Sequence, residues 1–381
     1  MSRPEHEVAD IIGRFGESFI INHQPNLYQL RVLRALSLCR TAALGGHKYR
    51  CDNCGKEHIS YNSCRNRHCP KCQTTKQAFW VEDRIKNAYQ VKHYHIVFTV
   101  PEALNEICLI DSKWFYNHLF ESVWDVLSSF GYSHYGVESG AICILHTWGQ
   151  NLSLHPHVHC IVPSLGYTFK GRLKHIGKNG KYLYPVTQLS LKFRSRFMDG
   201  VKKYLARKNL LQDYQKQVKA AWSKPWIVFC EPSLGKAEHV IGYLGQYTHR
   251  VAITNHRIVD ITGHEVLFSL KDYRDHGRHK ITRLSGEEFL RRFCLHILPQ
   301  GFVKIRHYGV YSSRFRNTVL KVDGKMVILS VETTVERVNR LIGIDVSCCP
   351  RCKKGRLIAV AVIPRSRSPD YRGILSLSLL N

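Results

Sequence analysis

No apolar run in the chain approaches the roughly 18 residues needed to span a bilayer. That argues against a membrane-spanning protein. The opening residues, Met-Ser-Arg-Pro-Glu-His-Glu, lack the charged-then-apolar pattern of a secretory signal. A cytoplasmic location is therefore expected. Internal repeats are absent, and the one low-complexity tract is the Arg/Ser-rich tail after Pro364. Acid is scarce. The 381 residues hold 29 Asp and Glu against 56 Lys and Arg, a formal charge of +27. So large a deficit points to a polyanionic partner, most often nucleic acid.

Cysteine, by contrast, is plentiful. Fourteen cysteines in a cytoplasmic chain suggest metal ligands and buried thiols, not disulfides. The length allows two or three domains with cores of their own.

Apolar spacing predicts a first helix with Val8, Ile11, Ile12, Phe15 and Phe19 on one face. A second should cover Leu27–Leu44 and stop at Gly45-Gly46. Residues 47–75 are polar, Cys-rich and turn-prone, and residues 77–90 look helical. A strand is expected over Tyr94–Val100, a long amphipathic helix over about Ser112–Phe130, and strands near Ala141–Trp148 and His157–Pro163. A hairpin over Tyr167–Tyr184 should turn at Lys178-Asn-Gly180. Residues 189–221 suggest one or two basic helices, with nine Lys or Arg against two Asp between Lys192 and Lys219. Trp226–Glu231 and Arg250–Asn255 look like strands, with a helix over Lys236–Tyr247 between them. From Lys271 to Arg316 there are eleven basic residues against four acids, interleaved with aromatics.

Three motifs carry chemistry. Cys51-Asp-Asn-Cys54 and Cys69-Pro-Lys-Cys72 are CxxC pairs with fourteen residues between them, a spacing that suits a tetrahedral four-cysteine zinc site. Cys64 and His68, inside that loop, are reserve ligands. Zinc would stabilise a segment with no core of its own. The C-terminal Cys348-Cys349-Pro-Arg-Cys352 has no second CxxC after it; half of a decayed or shared zinc site, or no site at all, are the alternatives, and no independent site is expected there.

The second motif is His155-Pro-His-Val-His159. His157 and His159 lie two apart on an expected half-buried strand, so both rings share a face and can reach one metal ion. His146, on the preceding strand, is the favoured third ligand, with Gln150 and His155 as weaker alternatives. An HxH alone would equally suit two ordinary histidines. The third motif, Tyr243-Leu-Gly-Gln-Tyr247, puts two phenols one helical turn apart. A phenol ionises near pH 10 and is a poor nucleophile unless a divalent cation polarises the phosphate it attacks.

In this order the motifs resemble one family: the rolling-circle, HUH-type transposases of bacterial insertion sequences, the two-tyrosine family of the insertion-sequence-ninety-one type. The resemblance runs through Cys51–Cys72, Tyr94-His-Ile-Val-Phe-Thr-Val-Pro101, His146-Thr-Trp-Gly149, His155–His159 and Tyr243–Ile253. It extends to Leu284–Phe293 and Ile305-Arg-His-Tyr-Gly309. One departure is the short Pro163-Ser-Leu-Gly166, where relatives often carry a longer glycine run.

The resemblance implies an α+β fold, an HUH-endonuclease core with an RRM-like antiparallel sheet. A small four-cysteine zinc module and N-terminal helices would precede that core. It implies cleavage and strand transfer of single-stranded DNA at element ends and target, through a covalent 5′-phosphotyrosine. Tyr243 and Tyr247 would be the nucleophiles. His157, His159 and His146 would hold catalytic Mg2+ or Mn2+, and Cys51, Cys54, Cys69 and Cys72 structural Zn2+. DNA contacts are expected at His249, Arg250, Arg291, Arg292, Arg306 and His307, and the protein should be nucleoid-associated. The expected divisions are N-terminal helices (1–46), zinc module (47–90), catalytic core (91–270), basic DNA-binding region (271–345) and C-terminal knuckle and tail (346–381). A plasmid replication initiator or relaxase with the same chemistry remains an alternative, as does a non-catalytic, zinc-dependent DNA-binding protein.

Overall fold

The structure is a computed structural model that describes residues 4–86, 88–89, 91–177, 183–230, 245, 251–272, 275, 277–313 and 332–366. It is a mixed helical and antiparallel-sheet protein. In chain order come helices α1 (Val8–His23) and α2 (Leu27–Ser37), strands β1 (Gly46–Cys51) and β2 (Glu57–Tyr61), and helix α3 (Pro70–Lys86). Then follow β3 (His93–Thr99), α4 (Asn105–Ile110), α5 (Ser112–Tyr135), β4 (Val137–Glu138), β5 (Gly140–Trp148), β6 (Leu154–Pro163), β7 (Leu165–Thr168) and β8 (Leu173–His175). The remainder is α6 (Val186–Arg207), α7 (Gln215–Ser223), β9 (Val228–Cys230), β10 (Ile258–Ile261), β11 (Glu265–Asp272), β12 (Arg278–Ser285), α8 (Gly286–Leu295), β13 (Ile305–Gly309), α9 (Thr334–Ile342) and β14 (Leu357–Ile363).

The central sheet has five strands in the order β13-β5-β6-β3-β9, each antiparallel to its neighbour. Its register sorts side chains cleanly, because strand side chains alternate between faces. Tyr94, Ile96, Phe98, Cys143, Leu145, Val158, Cys160 and Val162 join the main core, under α5 and α6. The opposite face carries His95, Val97, Ile144, His146, His157, His159 and Ile161. That face is also covered in part, since Trp80 of α3 packs on Ile142 and Ile161. β6 is therefore largely buried on both faces from Val158 onward, not half-buried. The length of α5 follows from its ends. Asp111 accepts from the Trp114 N–H at 2.9 Å, and Gly136 ends the helix in the left-handed conformation at φ 65°.

A second core joins α1 and α2 to α8 and the β10-β11-β12 sheet. Ile11, Phe15, Phe19 and Leu33 pack there with Phe268, Phe289 and Phe293. A third sheet, β14-β1-β2, is small and mostly exposed. α9 is fastened to α3 by Arg337, which bonds Glu82 and Asp83 at 2.7 Å each, and by Arg340 to Glu82 at 2.6 Å.

Several local expectations change. α2 ends at Ser37 instead of reaching Leu44, and α3 already begins at Pro70. The hairpin after β7 turns at residues 169–172, where Gly171 takes φ 70° and its N–H meets the Thr168 carbonyl at 2.9 Å. The expected turn at 178–180 lies outside the described residues. Residues 251–254 form no strand; Val251, Ala252 and Ile253 are buried without joining a sheet. Among the described residues, no helix is long and apolar enough to cross a membrane.

Candidate metal centres and nucleic-acid interface

The register of β5 against β6 pairs His146 with His157 and places Ile144 opposite His159. All three histidines therefore share one face, and one nitrogen from each lies within 4.8 Å of the others. The His157 ring accounts for one nitrogen locally: Nδ1 lies 2.7 Å from the His155 carbonyl. As donor there it leaves Nε2 as the electron-pair nitrogen. Burial, with smaller contributions from the charges of His155 and His95, lowers the His157 pKa to about 4. The ring is thus neutral at pH 7, the form that ligates a metal.

His95 completes the arrangement from β3. Its Nε2 lies 2.9 Å from His159 Nδ1, and the two rings stack at 5.2 Å and 7°. A histidine held through one nitrogen by a neighbour presents the other in a fixed direction. Trp148 stacks on His146 at 4.8 Å, and Lys304 lies 5.1 Å from the indole. Burial, then Arg67, lowers the Lys304 ammonium to about 7. His155, one of the alternative third ligands, is outside the three-histidine group.

Tyr243 and Tyr247 lie outside the described residues, as do His249 and Arg250. Gly245, between the tyrosines in sequence, is described and helical. It lies so close to Val81 of α3 that any side chain there would collide with the valine. The neighbouring Trp80 packs on the histidine-bearing face of the sheet.

The remaining expected DNA contacts are engaged within the protein. Arg291 and Arg292 both bond Glu288, at 2.5 and 2.7 Å. Arg306 donates to the Asn117 side-chain Oδ1 and lies over Phe120, 4.2 Å from the ring centre. His307 contacts Arg84 at 3.2 Å. Tyr308 stacks on Trp124 at 5.0 Å, and burial raises its hydroxyl to about 12.

Eight of the fourteen cysteines form two groups, and the CxxC pairs divide between them. Cys69 and Cys72 meet Cys39 and Cys64; Cys51 and Cys54 meet Cys349 and Cys352. The four sulfurs of each group lie within 4.8 Å of one another. A single site built from Cys51, Cys54, Cys69 and Cys72 is thus replaced by two groups. Cys64 joins the first; His68 joins neither and is buried beside Arg67 and His296. In the first group, Cys39 Sγ and Cys64 Sγ lie 3.5 and 3.7 Å from Cys72 Sγ. Hydrogen bonds among the neighbouring thiols, from Cys64 foremost, lower Cys39 to about 7. Four such sulfurs suit Zn2+. Sequence reasoning missed Cys39, which has no CxxC partner to announce it. It also missed His95, whose signal was a second alternating pair, His93 and His95.

A groove of about 1750 Å3 runs between α2, β2 and the segment after β14. Its walls include Arg31, Arg34, Arg40, Arg65 and Arg365, with Tyr61 at 37% exposure. Glu7, the acid that lines it among the described residues, is paired with Lys71 at 2.7 Å.

These features are those of a basic protein with two four-cysteine clusters and a histidine cluster on an antiparallel sheet. Residues 140–318 match the family described as "Putative transposase", and residues 11–100 match the "Transposase zinc-binding domain" of the IS91 type. A "Putative transposase y4qJ" of Sinorhizobium fredii is 38% identical, over 97% of this chain and 98% of that protein. The "Transposase for insertion sequence element IS801" of Pseudomonas savastanoi pv. phaseolicola is 26% identical, over 75% of this chain and 71% of that protein. No solved structure matches. The chain belongs to the IS91-type transposase family.

Proposed function

We propose that the protein is a single-strand DNA transposase that cuts and rejoins element ends through Tyr243 and Tyr247. The observation that carries this reading is the group formed by His146, His157 and His159, together with membership of the family. A divalent ion bound there would polarise the scissile phosphate and stabilise the leaving oxygen. Three imidazoles favour a transition ion over Mg2+, so the donor set favours Mn2+ of the two ions expected. His95 acts through His159, fixing the ring that would face the ion.

In the reaction, one tyrosine hydroxyl attacks the phosphorus. A Tyr Oη–P bond forms, the bond to the 3′ oxygen breaks, and that oxygen leaves as a 3′-hydroxyl. The other tyrosine can hold a second cleaved end. Bond energy is conserved in the ester, so rejoining needs no ATP. Gly245, which lies between the tyrosines in sequence, supports this reading through its close approach to Val81 on the helix over the histidine face. The basic groove suits a strand of phosphates, and Tyr61 offers a ring for an unpaired base. The Cys39, Cys64, Cys69 and Cys72 group, all within the matched zinc-binding domain, would hold the structural Zn2+.

The test is covalent capture. A 3′-labelled single strand carrying an element end, incubated with Mn2+, should become attached to the protein. An adduct that survives in Tyr243→Phe/Tyr247→Phe would refute the nucleophile assignment.

A further inference from the structure

The second cysteine group joins parts of the chain that are far apart. Cys51 and Cys54 come from the end of β1 and the turn after it, and Cys349 and Cys352 from the turn before β14. Cys51 Sγ lies 3.6 Å from Cys352 Sγ, and Cys54 Sγ 3.8 Å from Cys349 Sγ. Zinc–sulfur bonds of about 2.3 Å in a tetrahedron place sulfurs roughly 3.8 Å apart.

The two turns are built alike. After Cys54, Gly55 takes φ 67° and its N–H meets the Cys51 carbonyl at 3.0 Å. After Cys352, Lys353 takes φ 55° and its N–H meets the Cys349 carbonyl at 2.9 Å. Each turn also aims a backbone N–H at one of its own sulfurs, from Cys54 to Cys51 at 3.5 Å and from Gly355 to Cys352 at 3.4 Å. His58 Nε2 lies 3.6 Å from Cys349 Sγ. Such contacts stabilise thiolates and orient ligands. Lys353, a non-glycine residue in the left-handed region, accepts a conformational cost there.

We propose that Cys51, Cys54, Cys349 and Cys352 bind a second Zn2+, and that this ion is a clasp fastening β14 to β1 beside the basic groove. Among the described residues, β14 has its backbone ladder to β1 but no buried apolar face. Ile358, Val360 and Val362 are 54%, 46% and 72% exposed, and small sheets without a buried face are marginal in water. The clasp closes a loop of 295 residues between Cys54 and Cys349, and the entropy of closure grows with loop length. Past β14 the chain runs back along Gly45, the Ser366 N–H meets the Ala43 carbonyl at 3.3 Å, and Arg365 reaches the groove wall. The clasp therefore sets one of the groove's arginines. Only this last consequence rests on the proposed DNA strand in the groove.

The test uses the full chain loaded with zinc. A mercurial reagent that attacks thiolates should release two Zn2+ per chain, and Cys349→Ser/Cys352→Ser should release one. A single ion from the unaltered protein, or two from the variant, would overturn the site. Amide exchange guards against misfolding of the variant. Mercurial-treated unaltered protein should lose protection over residues 357–363 while β5 and β6 keep theirs. Persistent protection of 357–363 would overturn the clasp. For the groove, Arg365→Ala and the double-serine variant should both bind a labelled single-stranded oligonucleotide about threefold more weakly, with a salt slope lower by roughly 0.7. Unchanged binding would overturn the link to DNA. None of these readouts involves cleavage, so they stand apart from the tyrosine chemistry.

Discussion

The five-stranded sheet and the β14-β1-β2 sheet are both antiparallel, yet different forces hold them. β5 is buried at every residue but its last, whereas β14 is exposed at every residue but its two ends. The first sheet rests on apolar burial, with side chains such as Phe98, Phe115 and Leu119 at 0% exposure, each contributing about 1.5–3 kcal/mol. The second sheet has no such face and depends on sulfur and, as proposed, zinc. One protein thus keeps a rigid packed platform for chemistry and a metal-tied flap beside its basic groove.

Acid is the harshest way to break the packed side. Burial lowers His93 and His296 to about 4 and His68 to about 3. Their unfolded counterparts titrate near 6.5, so the unfolded chain binds more protons in between. Stability should be full above about pH 6.5 and fall as pH drops toward 4. At about 1.4 kcal/mol per pH unit per group, the loss should exceed ~5 kcal/mol, read as a falling melting temperature. A flat profile between about pH 6.5 and 4.5 would contradict the buried neutral histidines.

Phe98→Ala is expected to come next. Phe98 meets Phe193 edge-on at 5.1 Å, and its truncation should cost about 3–5 kcal/mol in urea unfolding. A loss under about 1 kcal/mol would mean that the core face is not packed as described. On the histidine face, His95→Gln should weaken Mn2+ binding about 10- to 100-fold, roughly 1.4–2.7 kcal/mol. Calorimetry showing unchanged affinity would remove His95 from the site. The smallest effect belongs to the exposed sheet: Val360→Thr should shift stability by less than ~0.5 kcal/mol. A large loss there would show that β14 is held by packing after all.

The sequence was most legible where local pattern decides. Alternating apolar residues marked β3, β5 and β6, and helical spacing marked α1 and α5. The HxH pair and His146 were visible because strand periodicity fixes their shared face. Pairing at long range was not visible. CxxC spacing suggested one zinc site, yet Cys51 and Cys54 lie with cysteines almost three hundred positions away, and Cys39 completes the other group. Tertiary contact, which spacing does not encode, made that choice. Likewise, Arg291, Arg292 and Arg306 were singled out by charge alone, and charge did not reveal their partners within the fold, Glu288, Asn117 and Phe120.

The measurement that tests the central claim most directly is covalent capture of a 3′-labelled element end, run on three proteins in parallel. The unaltered chain with Mn2+ should form an adduct. Tyr243→Phe/Tyr247→Phe should form none, and His157→Ala should form none while still binding the strand, because affinity comes mainly from phosphate contacts. An adduct at undiminished yield in either variant would contradict a histidine-held metal acting with these tyrosines.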